Sequence, residues 1–434
     1  MRSELLTLLL VFVSILGLHS IMNRHDSRLH PNFASGVVLS HINLNTAPPT
    51  VAPPSEVECE EEEDSQESVP TGNTEVVEMD TQDERPTQRA TPISPSRAVM
   101  QYPHFNSYYF KRFGVIKQYA FTPSLLASHC SPDRAADCPD ITMVTQMTPN
   151  RAPFLKQLIR RWHGRISAAF ALTGREMMHY RRDPHSLLPF SIPSRVSIIP
   201  YMFDKSKPFP VNVLRNVAIR NVTTSHFFYN DIDFLPSENL YEELMRIPES
   251  FLLTPKMAII VPAFEFMPKM KVSPNSFSAS MSAYLPSVPA TKEQLASCML
   301  TTTRNCTVFR DKSHLHEYLI DEWFTSGDSL LYRIPCLHGD RQEPYLLVQK
   351  TDSLPLYDER FVGYGWNKVQ WIEHLRYIGY RFYVFNNGFI IHCPHPESES
   401  LRLFAARMKQ IRKVWKTFLR DLHRQHPEKG TPLC

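Results

Sequence analysis

The residues best suited to chemistry in this sequence lie in Asn230-Asp231-Ile232-Asp233, directly after the apolar run Phe227-Phe228-Tyr229. A run of that kind fits a buried central strand. Alternation then puts Asp231 and Asp233 on one side of its carboxyl end, where open α/β sheets bind ligands. Two carboxylates there are costly unless a cation neutralises them or water reaches them. Hard oxygen ligands suit Mg²⁺ or Mn²⁺, and such an ion can hold a diphosphate. A bare D-x-D also suits a solvated turn, and both readings stand at this point.

A second candidate is Ile391-His392-Cys393-Pro394-His395, again after a strand-like run. His392 near a carboxylate pair can complete a mixed oxygen and nitrogen metal site, whereas a loop histidine bonded to backbone is the plainer alternative. Zinc held by His392, Cys393 and His395 is disfavoured, because three adjacent ligands rarely reach one tetrahedron. Asp358 and Glu359 precede an aromatic, glycine-bearing turn that opens a helix near Trp366. Such a turn can present a general base beside a sugar-stacking surface, or it can simply cap the helix. Asn212, Arg215 and Asn216 share a helix shortly before the aspartates. Arg215 suits a phosphate or a carboxylate, and a surface salt bridge is its default.

These residues need a frame. Apolar periodicity predicts strands at 141–146, 166–172, 195–202, 226–229, 257–261, 380–385 and 389–391. It predicts helices at 154–162, 213–218 and 366–377, and a basic amphipathic helix over 401–423. Alternation of this kind implies an α/β domain with a mixed, mostly parallel sheet.

Composition limits the rest. A formal charge of +3 over 434 residues argues against a dedicated nucleic-acid binder. Residues 5–22 contain no Asp, Glu, Lys or Arg, which suits a signal anchor behind a cytoplasmic tail of residues 1–4. A cleaved signal peptide competes with it, although Leu18-His19-Ser20 makes a poor cleavage site. Residues 23–100 are proline-rich and acidic, and 8 of the 12 residues over 56–67 are Asp or Glu. Such a stretch cannot bury enough apolar surface to fold, so it reads as a disordered stem before a body at 101–434. Asn221 and Asn305 each begin an Asn-x-Thr glycosylation triplet, as a lumenal body would allow. Cys130 with Cys138, and Cys298 with Cys306, are close enough to close short loops, but eight thiols permit many connectivities.

Taken in order, several segments resemble glycosyltransferase family 49. They are Phe209-Pro210-Val211-Asn212-Val213-Leu214-Arg215-Asn216-Val217-Ala218, then Asp231-Ile232-Asp233-Phe234-Leu235-Pro236-Ser237, then Val261-Pro262-Ala263-Phe264-Glu265. The 358–368 segment and Gly388-Phe389-Ile390-Ile391-His392 complete the series, and the resemblance covers 141–425. It implies a GT-A fold, a UDP-sugar donor, Mn²⁺ and an inverting mechanism, in a type II Golgi membrane protein whose lumenal domain acts on a glycoprotein glycan. Asp231, Asp233 and His392 match the family's metal site, and glucuronic acid is the expected sugar. N-acetylglucosamine and xylose are the rival donor sugars, and an inactive glycan-binding or scaffold protein is the reading of another class. Asp358 is the expected base, with Glu265 and Glu359 behind it. Asn212, Arg215 and Asp231 are the expected donor contacts.

Overall fold

The computed structural model describes residues 113, 116–121, 138–268, 272, 277–300, 305–325, 329–428 and 430–434. The expected tail, anchor and stem lie outside them. Among the described residues no helix is long and apolar enough to cross a membrane.

β1 (Gln118–Ala120) lies at a sheet edge. A regular alternation follows: β2 (Ile141–Met147), α1 (Ala152–Arg161), β3 (Arg165–Leu172), α2 (Gly174–Arg182), β4 (Val196–Met202), α3 (Val211–Arg220) and β5 (His226–Tyr229). Next come β6 (Phe234–Pro236), α4 (Leu240–Met245), α5 (Glu249–Leu252), β7 (Met257–Val261) and β8 (Ala263–Phe266). α6 (Phe277–Tyr284), α7 (Lys292–Leu300), β9 (Cys306–Val308), β10 (Ser329–Arg333) and β11 (Tyr345–Gln349) form the middle. α8 (Val369–Tyr377), β12 (Arg381–Phe385), β13 (Ile390–His392), α9 (Glu399–Arg402) and α10 (Phe404–Gln425) complete the fold.

Local sequence explains several boundaries. α1 buries Phe154, Leu155 and Leu158 on one face and stops at Trp162, before Gly164. α2 starts at a capping box, in which Thr173 accepts from the Glu176 backbone N–H and the Glu176 carboxylate accepts from that of Thr173. The helix predicted from 366 begins instead at Val369, because Trp366 sits at φ 50°, outside the right-handed helical region. The basic helix predicted from 401 is split near Leu403 into α9 and α10.

Nine strands form the main sheet in the order β1-β10-β12-β7-β11-β5-β2-β3-β4. β2, β5 and β7 are buried throughout, as central strands must be. The sheet is mixed but not mostly parallel. β2–β3, β2–β5, β3–β4 and β7–β12 pair in parallel, whereas β1–β10, β10–β12, β11–β5 and β11–β7 are antiparallel. The correction arises at three strands the periodicity does not predict: β1 and β10 at one edge, and β11, whose apolar run Tyr345-Leu346-Leu347-Val348 enters between β5 and β7 against both. Residue periodicity reports which faces of a strand are buried and carries no information on its direction.

A four-stranded sheet, β6-β13-β8-β9, lies just past the ends of β5, β7 and β12. The Cys298–Cys306 disulfide joins α7 to β9, as the spacing allows, and Cys336–Cys434 is a second bridge. Cys138 is also disulfide-bonded, while Cys130 falls outside the described residues. Cys393 is free and buried.

Candidate active site

β5 ends at Tyr229, and the Phe234 N–H closes a tight turn on the Asp231 carbonyl at 3.1 Å. Asn230, fully buried, steadies that turn by donating from Nδ2 to the Phe234 carbonyl at 2.9 Å. The chain therefore does not run on as a strand, and the two aspartates separate into different surroundings.

Asp231 is enclosed by donors. Oδ1 accepts from Gln146 Nε2 at 2.9 Å, from the Tyr229 hydroxyl and, at 3.5 Å, from Arg215. Oδ2 accepts from the Tyr345 hydroxyl at 2.8 Å and from Lys368 Nζ at 3.0 Å. Burial alone would raise this carboxyl's pKa, but the Lys368 and Arg215 charges with these hydrogen bonds hold it well below the usual carboxylate range. Five donors already fill the roughly four lone-pair positions of a carboxylate.

Asp233 faces histidines. Its Oδ2 lies 2.7 Å from His395 Nε2 and 3.9 Å from His392 Nε2, and the two Nε2 atoms are 3.3 Å apart. Two atoms bound to one ion at roughly 2.0–2.2 Å cannot be separated by more than twice that length, and all three edges satisfy this. His395 Nδ1 donates to the Pro396 carbonyl at 2.8 Å, so in the neutral ring Nε2 is a bare lone pair. That lone pair and a carboxylate oxygen cannot face one another at 2.7 Å without a proton or a cation between them. A mixed oxygen and nitrogen donor set of this kind fits a divalent transition-metal ion. Burial pulls the His392 pKa down to about 4, which leaves a neutral ligand at ordinary pH. The Asp233 carboxyl would be raised by burial, but the His395 hydrogen bond and the histidine charges bring it to about 2.

The small sheet positions this cluster. In β13, His392 registers with Phe234 of β6 on one side and with Glu265 of β8 on the other. Register partners leave a sheet on the same face, so Glu265 stands beside His392. The Cys393 N–H bonds the Asp233 carbonyl at 2.9 Å, which locks the acidic turn to the end of β13. Arg151 donates to the Pro396 carbonyl at 2.8 Å and Tyr284 to that of Pro394 at 2.9 Å, and these bonds bring His395 round to His392.

The remaining predicted residues fall elsewhere around this centre. Arg215 is buried and spoken for, with Nε donating to the Tyr229 hydroxyl at 2.6 Å and a terminal nitrogen to Asn212 and Asn367, each at 2.8 Å. Asn212 Nδ2 holds the Asp358 carbonyl at 2.8 Å. The Asp358 carboxylate is gripped by Arg360, which donates from Nε at 2.9 and 3.0 Å and from a terminal nitrogen at 2.6 Å. Glu359 accepts from Asn216 at 2.8 Å. The Glu265 carboxyl is raised by burial, although Arg310 nearby opposes this. Asn221 caps α3 and donates to Ser167 at 3.3 Å, and Asn305 precedes β9 with its carbonyl accepting from Met267.

The structure thus brings Asp233, His392 and Glu265 together, ties Asp231 to Arg215, and sets Asp358 apart in its own ion pair. Sequence reasoning weighs His395 only as a zinc ligand and disfavours it, and it passes over Lys368, Tyr345 and Gln146. Only His395 carried a local signal, its place two residues beyond Cys393 in the same motif.

A mixed α/β sheet ending in an acidic turn that faces two histidines is the frame, and the family follows from the sequence. The profile of a family described as "Glycosyl-transferase for dystroglycan" matches residues 189–427, more than half of the 434. The chain belongs to that family, glycosyltransferase family 49. Among its relatives, xylosyl- and glucuronyltransferase LARGE1 of Homo sapiens is 33% identical over 311 residues, covering 69% of this chain and 37% of that protein. LARGE2s of Gallus gallus is 31% identical over 296 residues, covering 66% and 36%. The chain spans little more than a third of the length of these relatives. Among solved structures, that of GalNAc-T7 with UDP, GalNAc and Mn²⁺ aligns with a TM-score of 0.39 at 10% identity, over 68% of this chain and 55% of the other. A likeness that remote carries no argument.

Proposed function

We propose that this chain is a metal-dependent, inverting glycosyltransferase of GT-A type that transfers glucuronic acid from UDP-glucuronate to a glycan on a glycoprotein. The observation that carries the reading is the convergence of Asp233, His392 and His395 within 4.8 Å of one another, beside Glu265. These three side chains would hold Mn²⁺, which supplies Lewis-acid neutralisation of a leaving diphosphate. Glu265 takes the proton of the acceptor hydroxyl as that oxygen bonds to the anomeric carbon and the bond to the diphosphate oxygen breaks. A carboxylate raised by burial is the stronger base, and Glu265 has that character. Asp358, committed to Arg360, is the second candidate for the role. Asp231 serves this reading by fixing Arg215 and Lys368 beside the donor. The two sugars in the relatives' names favour xylose as the other donor to test. An anchor at 5–22, a stem at 23–100 and residence in the Golgi membrane belong to the same reading.

The test is donor consumption with UDP-glucuronate, UDP-xylose and UDP-N-acetylglucosamine, with Mn²⁺ and with chelator. UDP release from the glucuronate donor, abolished by chelator and restored by Mn²⁺, is expected. Release unaffected by chelator sinks the metal assignment, and no release from any donor sinks the activity.

A further inference from the structure

Four cations surround the acidic turn: two of them are ion-paired, and Arg151 is tied to the Pro396 carbonyl at 2.8 Å. Arg215 pairs with Asp231, and Lys368 pairs with Asp231 and Glu343. The fourth, Arg310, is partly exposed and has no direct ion pair among the described residues, and the Glu265 carboxylate is the counter-charge that feels it.

Arg310 belongs to the metal cluster's wall. It follows Phe309, whose ring lies 4.8 Å from that of Phe234 and 5.2 Å from that of His392. Its guanidinium stands 5.6 Å from the Phe309 ring and 5.9 Å from the Tyr364 ring, so two aromatic side chains flank it. Its backbone N–H serves the Glu265 carboxylate. The residue sits at φ 53° and ψ 35°, a left-handed conformation that side chains other than glycine and asparagine seldom adopt. Strained backbone of this kind at a site wall persists where it aims a side chain. A flanked guanidinium whose donors meet no side-chain hydrogen-bond acceptor among the described residues offers a planar fork that matches a carboxylate.

We propose that Arg310 receives the carboxylate of a uronic acid beside the metal cluster and thereby sets which sugar the site accepts. The inference rests on the transferase reading above and adds to it a residue for the choice of sugar. The carboxylate can belong to the donor sugar or to an acidic acceptor, and the same fork serves both.

UDP-xylose is UDP-glucuronate without the carboxylate, so the pair isolates this one interaction. Arg310→Gly removes the charge and suits the left-handed backbone, and Arg310→Lys keeps the charge without the fork. Calorimetric titration with UDP, UDP-xylose and UDP-glucuronate, each with Mn²⁺, is run on both variants and on the unaltered chain. For a donor carboxylate, Arg310→Gly weakens UDP-glucuronate by about 10- to 100-fold while UDP and UDP-xylose move by less than about twofold, and Arg310→Lys falls between. For an acceptor carboxylate, all three titrations stay level and KM rises only for uronate-ended oligosaccharides, with neutral ones unaffected. Equal weakening of all three nucleotides, or no change with any donor or acceptor, overturns the proposal. An unaltered chain that binds no UDP with Mn²⁺ defeats the transferase reading itself, an outcome distinct from failure of Arg310 to discriminate.

Discussion

Lys368 Nζ lies 3.0 Å from Asp231 Oδ2 and 2.7 Å from the Tyr345 hydroxyl, which itself donates to the same carboxylate oxygen at 2.8 Å. The three groups form a closed triangle across β5, β11 and the start of α8. Asp231 is thereby the counter-charge that keeps two enclosed cations in place, a role separate from that of Asp233 two residues on.

Asp231→Asn should therefore destabilise the fold. It leaves Arg215 and Lys368 without their shared anion, a loss on the order of 3–5 kcal/mol for a buried pair broken on one side. Chemical denaturation measures it, and Asp231→Asn combined with Lys368→Met should recover part of the loss. Unchanged stability in Asp231→Asn would remove the counter-charge role.

Asp233→Asn and His395→Ala should act on metal and hardly on the fold. Each removes one ligand, and a drop in Mn²⁺ affinity of tenfold or more is expected, since each 1.4 kcal/mol is tenfold. Titration of Mn²⁺ followed by electron paramagnetic resonance reads the affinity directly. Should His395→Ala bind Mn²⁺ as the unaltered chain does, His395 is not the third ligand.

Glu265→Gln should lower transfer by about 10²–10⁴ while donor and Mn²⁺ affinities persist, as loss of a general base predicts. Asp358→Asn should instead loosen the 358–368 loop by leaving Arg360 paired with Asp421 alone, with turnover of the folded fraction near normal. Initial rates measured beside melting curves separate the two. The reverse pattern would return the role to Asp358.

Acidification of the metal-free chain should cost stability between about pH 6.5 and pH 4. Burial lowers the pKa values of His392 and His374 to about 4 and also depresses those of His226 and His316. Across that window the unfolded chain binds more protons than the native one, so stability rises with pH and falls as acid is added. A shift from 6.5 to about 4 is on the order of 3 kcal/mol for one such group. Thermal melts at pH 7, 5.5 and 4.5 in chelator should show Tm falling stepwise, and a flat profile would contradict the assignment.

How legible this site was depends on the distance over which each interaction acts. The Asp231–Asp233 motif and His392 announce themselves because an apolar strand precedes each, and strand ends are where an α/β sheet presents ligands. His395 is harder. Its spacing from His392 argues against a shared ion until the turn at Pro394, with Cys393 pointing into the core, brings the ring back. Lys368 and Tyr345 stand far along the chain from Asp231, and no local pattern marks a lysine as a buried counter-ion. The donor role expected of Arg215 rests on residue type and on its place in the 209–218 motif, while its partners Tyr229 and Asn367 come from different elements. β11 is missing from the predicted strands altogether, and its direction would have stayed hidden in any case, since an apolar run specifies burial and leaves its neighbours to the topology.

Cys336 and Cys434 are joined across a separation of 98 residues, and the ring of chain so closed contains β11, α8, β12, β13 and α10. Lys368, His392 and His395 are inside that covalent ring, whereas Asp231, Asp233 and Glu265 are outside it. The centre is assembled across the seam between a cyclised segment and the chain that threads against it. A single proteolytic cut in the ring, even one between the two histidines and Lys368, leaves every piece of the site attached to one molecule as long as the bridge is oxidised. Under reduction the same cut releases the segment that carries the histidines. The chain-entropy cost removed by closing a loop of about 100 residues, roughly 4–5 kcal/mol, would be forfeited with it. Redox state thereby decides whether a nick in this segment is silent or fatal.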